Sequence, residues 1–218
     1  TFINYYSEIE RLGEVGRYFD FEAWSDEFEG GFLQPMDTNP DRMGSHNLGW
    51  LAYDKPAWML IVLREKVLGP ERFDAAFRAY IRRWAFKSPQ PSDFFRTMED
   101  VSGMDLAWFW RAWVFGTGTP DQAILGVWTD EERTQARITL STEGDADDGT
   151  LAMYLPVHLR VTLDYGTVKD IDLPAEIWSR SSEWTTSVEL GGHGLRRVEV
   201  DPEGEYPDLD RSNNLWEP

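Results

Sequence analysis

The sequence predicts an α+β chain: an N-terminal all-helical lobe followed by a small antiparallel β-sandwich. Three observations predict it. Between residues 54 and 115 apolar side chains, many of them aromatic, recur at the 3.6-residue spacing of helices. Beyond Pro120 the period drops to two, in short runs separated by turn residues. Gly-Pro and Ser-Gly pairs punctuate the helical runs and set their limits. On this reading residues 1–120 form the helical lobe, 121–205 the β-sandwich and 206–218 a polar C-terminal tail.

Taken in order, Phe2, Ile3, Tyr5, Tyr6, Ile9 and Leu12 mark a first amphipathic helix, with Gly13 as its stop. Residues 14–48 are broken by Gly30-Gly31, Pro35 and Pro40, and read as a long loop that either covers a core or walls a cleft. A helix is expected from Asp54, with Pro56 in its first turn, where a missing N–H costs nothing. Its apolar face holds Ala57, Leu60, Ile61 and Leu63 to Leu68, and Gly69-Pro70 closes it. The next helix places Phe73, Phe77, Tyr80, Ile81 and Trp84 on one buried stripe. Ser92 is the expected N-cap of the helix after that, which ends at Ser102-Gly103. Asp105 opens the last, which buries Leu106, Phe109, Trp110 and Trp113. Trp108, Trp110 and Trp113 could pass for a carbohydrate platform, but their helical spacing assigns them to the core. Six or seven strands follow, among them Arg137–Leu140, Val157–Leu163, a returning strand from Val168 to Ile177, Trp184–Leu190 and Leu195–Val200.

Composition narrows the function. Hydrophobic residues make up 41% of the 218 and Trp alone numbers 11, so the chain can bury a core. Its formal charge of -18 excludes a nucleic-acid surface, which needs a basic stripe, and docking on an anionic membrane. What it leaves is a solvated acidic surface or a field that draws in the free amine of a peptide. With no Cys, disulfides and thiolate metal sites are excluded. No run approaches the ~18 apolar residues of a membrane span. The chain begins at Thr1 with an amphipathic segment already under way, which predicts a cut within a longer protein.

The three histidines, His46, His158 and His193, have no close ligand pair, so each is expected to be solvated or hydrogen-bonded rather than metal-bound. The acidic run Glu143 to Gly149 lacks the order of a calcium loop and reads as a solvated turn. The segment Gly49 to Trp58 holds Tyr53, which taken alone is an aromatic at a helix entrance packing on Trp50. Asp54 and Lys55 are expected at the surface or as caps.

Together, Ala52-Tyr53-Asp54-Lys55-Pro56-Ala57, Leu68-Gly69-Pro70-Glu71-Arg72-Phe73 and Tyr80 to Pro89 are similar to the gluzincin zinc aminopeptidases, the family of aminopeptidase N and leukotriene hydrolase. Asp93-Phe94-Phe95 and Val101 to Trp113 continue the resemblance, and the β part resembles domains that follow the catalytic region in bacterial members. The resemblance implies a thermolysin-like catalytic domain that binds Zn2+ through a His-Glu-x-x-His helix and a later Glu. It implies that the metal polarises a peptide carbonyl and activates water. No His-Glu-x-x-His occurs in this chain, so the zinc ligands are expected in the missing N-terminal part of the same protein. The partners implied are that part and a peptide substrate held in the shared cleft, and bacterial members suggest export. Aligned on the family's Tyr-x-Lys-Gly pattern, Tyr53 becomes the donor to the tetrahedral oxyanion, with Pro56 in place of Gly. Phenols are protonated at neutral pH and can donate to developing negative charge. The rival expectation is an interaction module that keeps the fold without the chemistry.

Overall fold

The computed structural model describes residues 34–44, 47–142 and 152–218. The first expected helix, the loop up to residue 33, His46 and the acidic run at 143–149 lie outside the described residues. What is described forms two compact units, divided between Thr117 and Gly118.

In the helical unit, four segments run on as one rod, α1: Asn47–Gly49, Trp50–Asp54, Lys55–Val62 and Leu63–Leu68. The junction residues Gly49, Asp54 and Val62 all keep right-handed helical angles. This corrects the expected start at Asp54, since Pro56 lies inside the rod. A proline there would clash with the carbonyl four residues back and remove a donor. The second segment is π-wound, and the Lys55 N–H donates five residues back to the Trp50 carbonyl. The ladder is already opened where the ring enters, so α1 continues without a break.

Gly69, at φ 77°, ends α1, and Pro70 starts α2 (Pro70–Trp84) at once. Its stripe is fully buried only at Phe73 and Ala76; Phe77, Tyr80 and Trp84 are half-buried and Ile81 is exposed. The reason is geometric. Tyr80 meets Phe94 of the next helix edge-on at 5.0 Å, and Ile81 lies one step round the helix from that contact. The third helix, α3 (Pro91–Ser102), is capped by Gln90 and not by Ser92. Pro91 takes the first helical position, which moves the cap back one residue, and the Gln90 N–H donates to the Asp93 carboxylate at 2.8 Å. Gly103, left-handed at φ 72°, closes it.

The last helix, α4, comprises Ala107–Trp110 and a π-wound continuation Arg111–Phe115. Leu106, Phe109, Trp110 and Trp113 are all buried, as their spacing requires. Trp110 stacks on Phe95 at 4.7 Å and meets Phe94 at 6.0 Å, so it is core and no sugar platform.

The second unit is a sandwich of two antiparallel sheets. One has the order β1-β2-β5 and the other β4-β3-β6-β7. The strands are β1 (Gln122–Thr129), β2 (Gln135–Thr142), β3 (Val157–Leu163), β4 (Val168–Leu173), β5 (Glu183–Glu189), β6 (Leu195–Val200) and β7 (Leu215–Trp216). Alternate residues of β3, Val157, Leu159, Val161 and Leu163, face a core shared with Ile138, Leu140, Val188 and Val198. The strand expected to run to Ile177 stops at Leu173. Pro174 cannot donate to a ladder, and a 3-10 turn, Ala175–Ser179, buries Trp178 instead. The Trp178 indole N–H donates to the Leu155 carbonyl at 2.8 Å.

Two carboxylates organise the C-terminal stretch. Asp201, 3% exposed, accepts from the N–H groups of Glu205 and Tyr206 and from Arg211. Asp208 accepts from the Gln122 and Asp210 N–H groups and the Asn214 amide. Burial, aided by the neighbouring Asp121 charge, pushes its carboxyl up to about 6 against the opposing bond from Asn214.

Candidate functional site

The π-wound turn of α1 sorts its residues onto two faces. Trp50 and Leu51 are buried, whereas Ala52, Tyr53 and Asp54 are exposed. Tyr53 is 69% exposed, so it stands on the solvent side and is not a core aromatic. Lys55 is only 2% exposed, which corrects the expectation of a surface or capping residue. Its Nζ donates to the Gly116 carbonyl at 3.4 Å, and burial lowers its pKa to about 8. One sequence signal could have found it. Lys55 lies at i+4 from Leu51 and at i−4 and i−7 from Met59 and Val62, all buried, and so on the apolar line of the rod.

The two described histidines each meet carboxylates. His158 Nδ1 lies 2.7 Å from Asp172, and His193 Nδ1 lies 3.2 Å from Asp164. Among the described residues no group of three or more His, Cys, Asp or Glu is arranged to hold a metal ion. The described residues therefore do not fit the zinc that the resemblance implies.

Residues 33–113 match the Peptidase family M1 domain, a stretch that contains Tyr53, Lys55 and all of α1 to α3. This stretch is similar to the M1 peptidases. Aminopeptidase M1-D of Oryza sativa subsp. japonica is 29% identical over 99 residues, covering 45% of this chain and 11% of that protein. Glutamyl aminopeptidase of Bitis rhinoceros is 32% identical over 108 residues, covering 50% and 11%. Aminopeptidase N of Lactococcus lactis subsp. cremoris is 31% identical over 83 residues, covering 38% and 10%. The chain thus spans about a tenth of the length of these curated relatives. The crystal structure of Legionella pneumophila aminopeptidase A in complex with aspartic acid superposes with a TM-score of 0.51. It is 15% identical, and the match covers 72% of this chain and 17% of that one, which shows a shared fold. The stretch that matches the M1 domain thus includes the exposed tyrosine, on a turn whose opposite face is buried.

Proposed function

We propose that this chain is a segment of an M1-type zinc aminopeptidase in which Tyr53 donates a hydrogen bond to the oxyanion formed during peptide-bond hydrolysis. The observation that carries the reading is the placement of Tyr53: exposed, within the M1-matched stretch, on a turn fixed by buried Trp50, Leu51 and Lys55. A donor on an anchored backbone loses little freedom when it meets substrate. Its O–H bond to the carbonyl oxygen strengthens as that oxygen gains charge, so it favours the transition state over the bound peptide. The zinc belongs to the part of the protein outside the described residues, and the substrate class is peptides with a free N-terminus.

The test is Tyr53→Phe in the longer protein that carries this chain, with hydrolysis of aminoacyl and peptide substrates followed and metal content checked. Removing one oxyanion donor should lower kcat by about 10²–10³, or ~2.7–4 kcal/mol, while KM changes much less. Full kcat in the variant makes Tyr53 structural and overturns its role as donor, whereas no peptidase activity in the parent favours the non-catalytic module instead.

A further inference from the structure

The turn that presents Tyr53 is closed by Lys55, whose backbone N–H donates to the Trp50 carbonyl and whose side chain leaves on the opposite face. We propose that Lys55 is a positioning residue for Tyr53: its buried ammonium, held by the Gly116 carbonyl at the end of α4, sets the rotation of the π-wound turn and so the direction of the tyrosine. This rests on the reading of Tyr53 as the oxyanion donor.

Two features of the acceptor end favour an ammonium there. The π-wound run Arg111–Phe115 finishes α4, so Gly116 follows immediately on the last helical carbonyls. The last helical carbonyls lack intrahelical partners, Val114's taking the Met36 N–H instead, and they place the negative end of the helix dipole next to the extended Gly116 whose carbonyl meets the ammonium. Gly116 also keeps the chain tight against that end. A Cβ there would stand 2.8 Å from the Ala112 carbonyl oxygen and 3.2 Å from that of Arg111, so a side chain would push the acceptor away.

A buried amine is a costly way to hold two helices together. On a line with Leu51, Met59 and Val62, a methionine would fill the space without desolvating a charge. Burial lowers the Lys55 pKa only to about 8, so the ammonium persists at neutral pH. What a charged tether adds over an apolar contact is direction. A helix packed by apolar contacts alone can rotate by small amounts, whereas a hydrogen-bonded ammonium ties one azimuth of α1 to one carbonyl. An oxyanion donor is sensitive to that rotation, because a displacement of about 1 Å can cost ~10²-fold in rate.

The experiment is a double-mutant cycle in the longer protein, with kcat, KM, metal content and thermal stability measured for wild type, Lys55→Met, Tyr53→Phe and the pair. Lys55→Met should lower kcat by at least about tenfold, with KM within about twofold and metal retained. The double variant should match Tyr53→Phe within about twofold, because the group being aimed is already gone. Gly116→Ala keeps the ammonium but displaces its acceptor, and should repeat both the loss and the non-additivity. It serves as the second arm if Lys55→Met does not fold. Full kcat in Lys55→Met, or a loss that multiplies with that of Tyr53→Phe, overturns the proposal. Failure of both variants to fold also overturns it, since Lys55 then serves the fold alone. Tyr53→Phe with full kcat overturns the oxyanion reading itself. A crippled Tyr53→Phe beside an unaffected Lys55→Met overturns only the positioning role.

Discussion

Among the described residues, the helical unit and the sandwich bury charges of opposite sign. Among the helices the buried charges are cations, Lys55 and Arg64, and each reaches a different element. Lys55 donates to the Gly116 carbonyl past α4, and Arg64 holds Asp74 of α2 through Nε and Nη2 at 2.9 and 3.2 Å while also contacting Glu65. In the sandwich the buried polar groups are mostly acceptors or neutral, among them Asp201, Asn214, Gln122, Ser141 and Thr142. Two of them hold non-ladder backbone: Asp201 takes the N–H groups of Glu205 and Tyr206, and the Gln122 amide reaches the Leu155 and Pro156 carbonyls. The difference follows from where backbone bonds go. Strands cross-link one another through their ladders, so only the turns need side-chain help. Helices satisfy their backbones internally, so side chains supply the directional ties between rods.

The comparison can be broken by removing one tie from each unit. Asp74→Ala leaves the buried Arg64 without its bidentate partner and should cost about 3 kcal/mol, read by urea unfolding of the helical signal. Asp201→Ala removes an acceptor for three donors and should cost about 2 kcal/mol, read by the same titration followed through the sandwich tryptophans. A larger loss for Asp201 would show that the turns, not the helix-to-helix ties, carry more of the stability. The smallest effect sharpens the picture through pH. Because the folded Asp208 carboxyl is raised to about 6, the folded state holds a proton there that the unfolded chain releases near ~3.9. The stability this group supplies is present below ~3.9 and falls as pH rises through 6. The difference between wild type and Asp208→Ala should therefore shrink from pH 4 to pH 7, by on the order of 1 kcal/mol. An unchanged difference would mean that the carboxyl titrates normally.

The α+β order was legible from the change of period alone, and β3 and β6 coincide to the residue with the alternating runs Val157–Leu163 and Leu195–Val200. Both lie inside the sandwich, where alternation maps directly onto burial. Other features depended on tertiary context or on competing local chemistry. Ser92 is a good cap by composition, but Pro91 claimed the first helical position and passed the cap to Gln90. Ile81 completed a stripe that α3 meets only as far as Tyr80. At the candidate site, the surrounding motif singled out Tyr53, which the structure leaves exposed. Lys55 was missed because lysine is rarely buried, and its acceptor lies 61 residues away in sequence.

The wide turn at Trp50–Asp54 also bears on how this segment tolerates insertions and deletions. Losing one residue from an ordinary stretch of helix rotates everything beyond it by about 100° and carries apolar side chains out of the core. A deletion at the π-wound turn can be absorbed locally, because the turn can tighten to α winding and leave the remainder of the rod in register. The apolar face would keep its register while the offset between Tyr53 and Lys55 is lost, and Pro56, driven against the carbonyl four residues before it, would kink the rod at that point. This turn is thus a place where a length change too small to disturb the core would still alter what the surface presents.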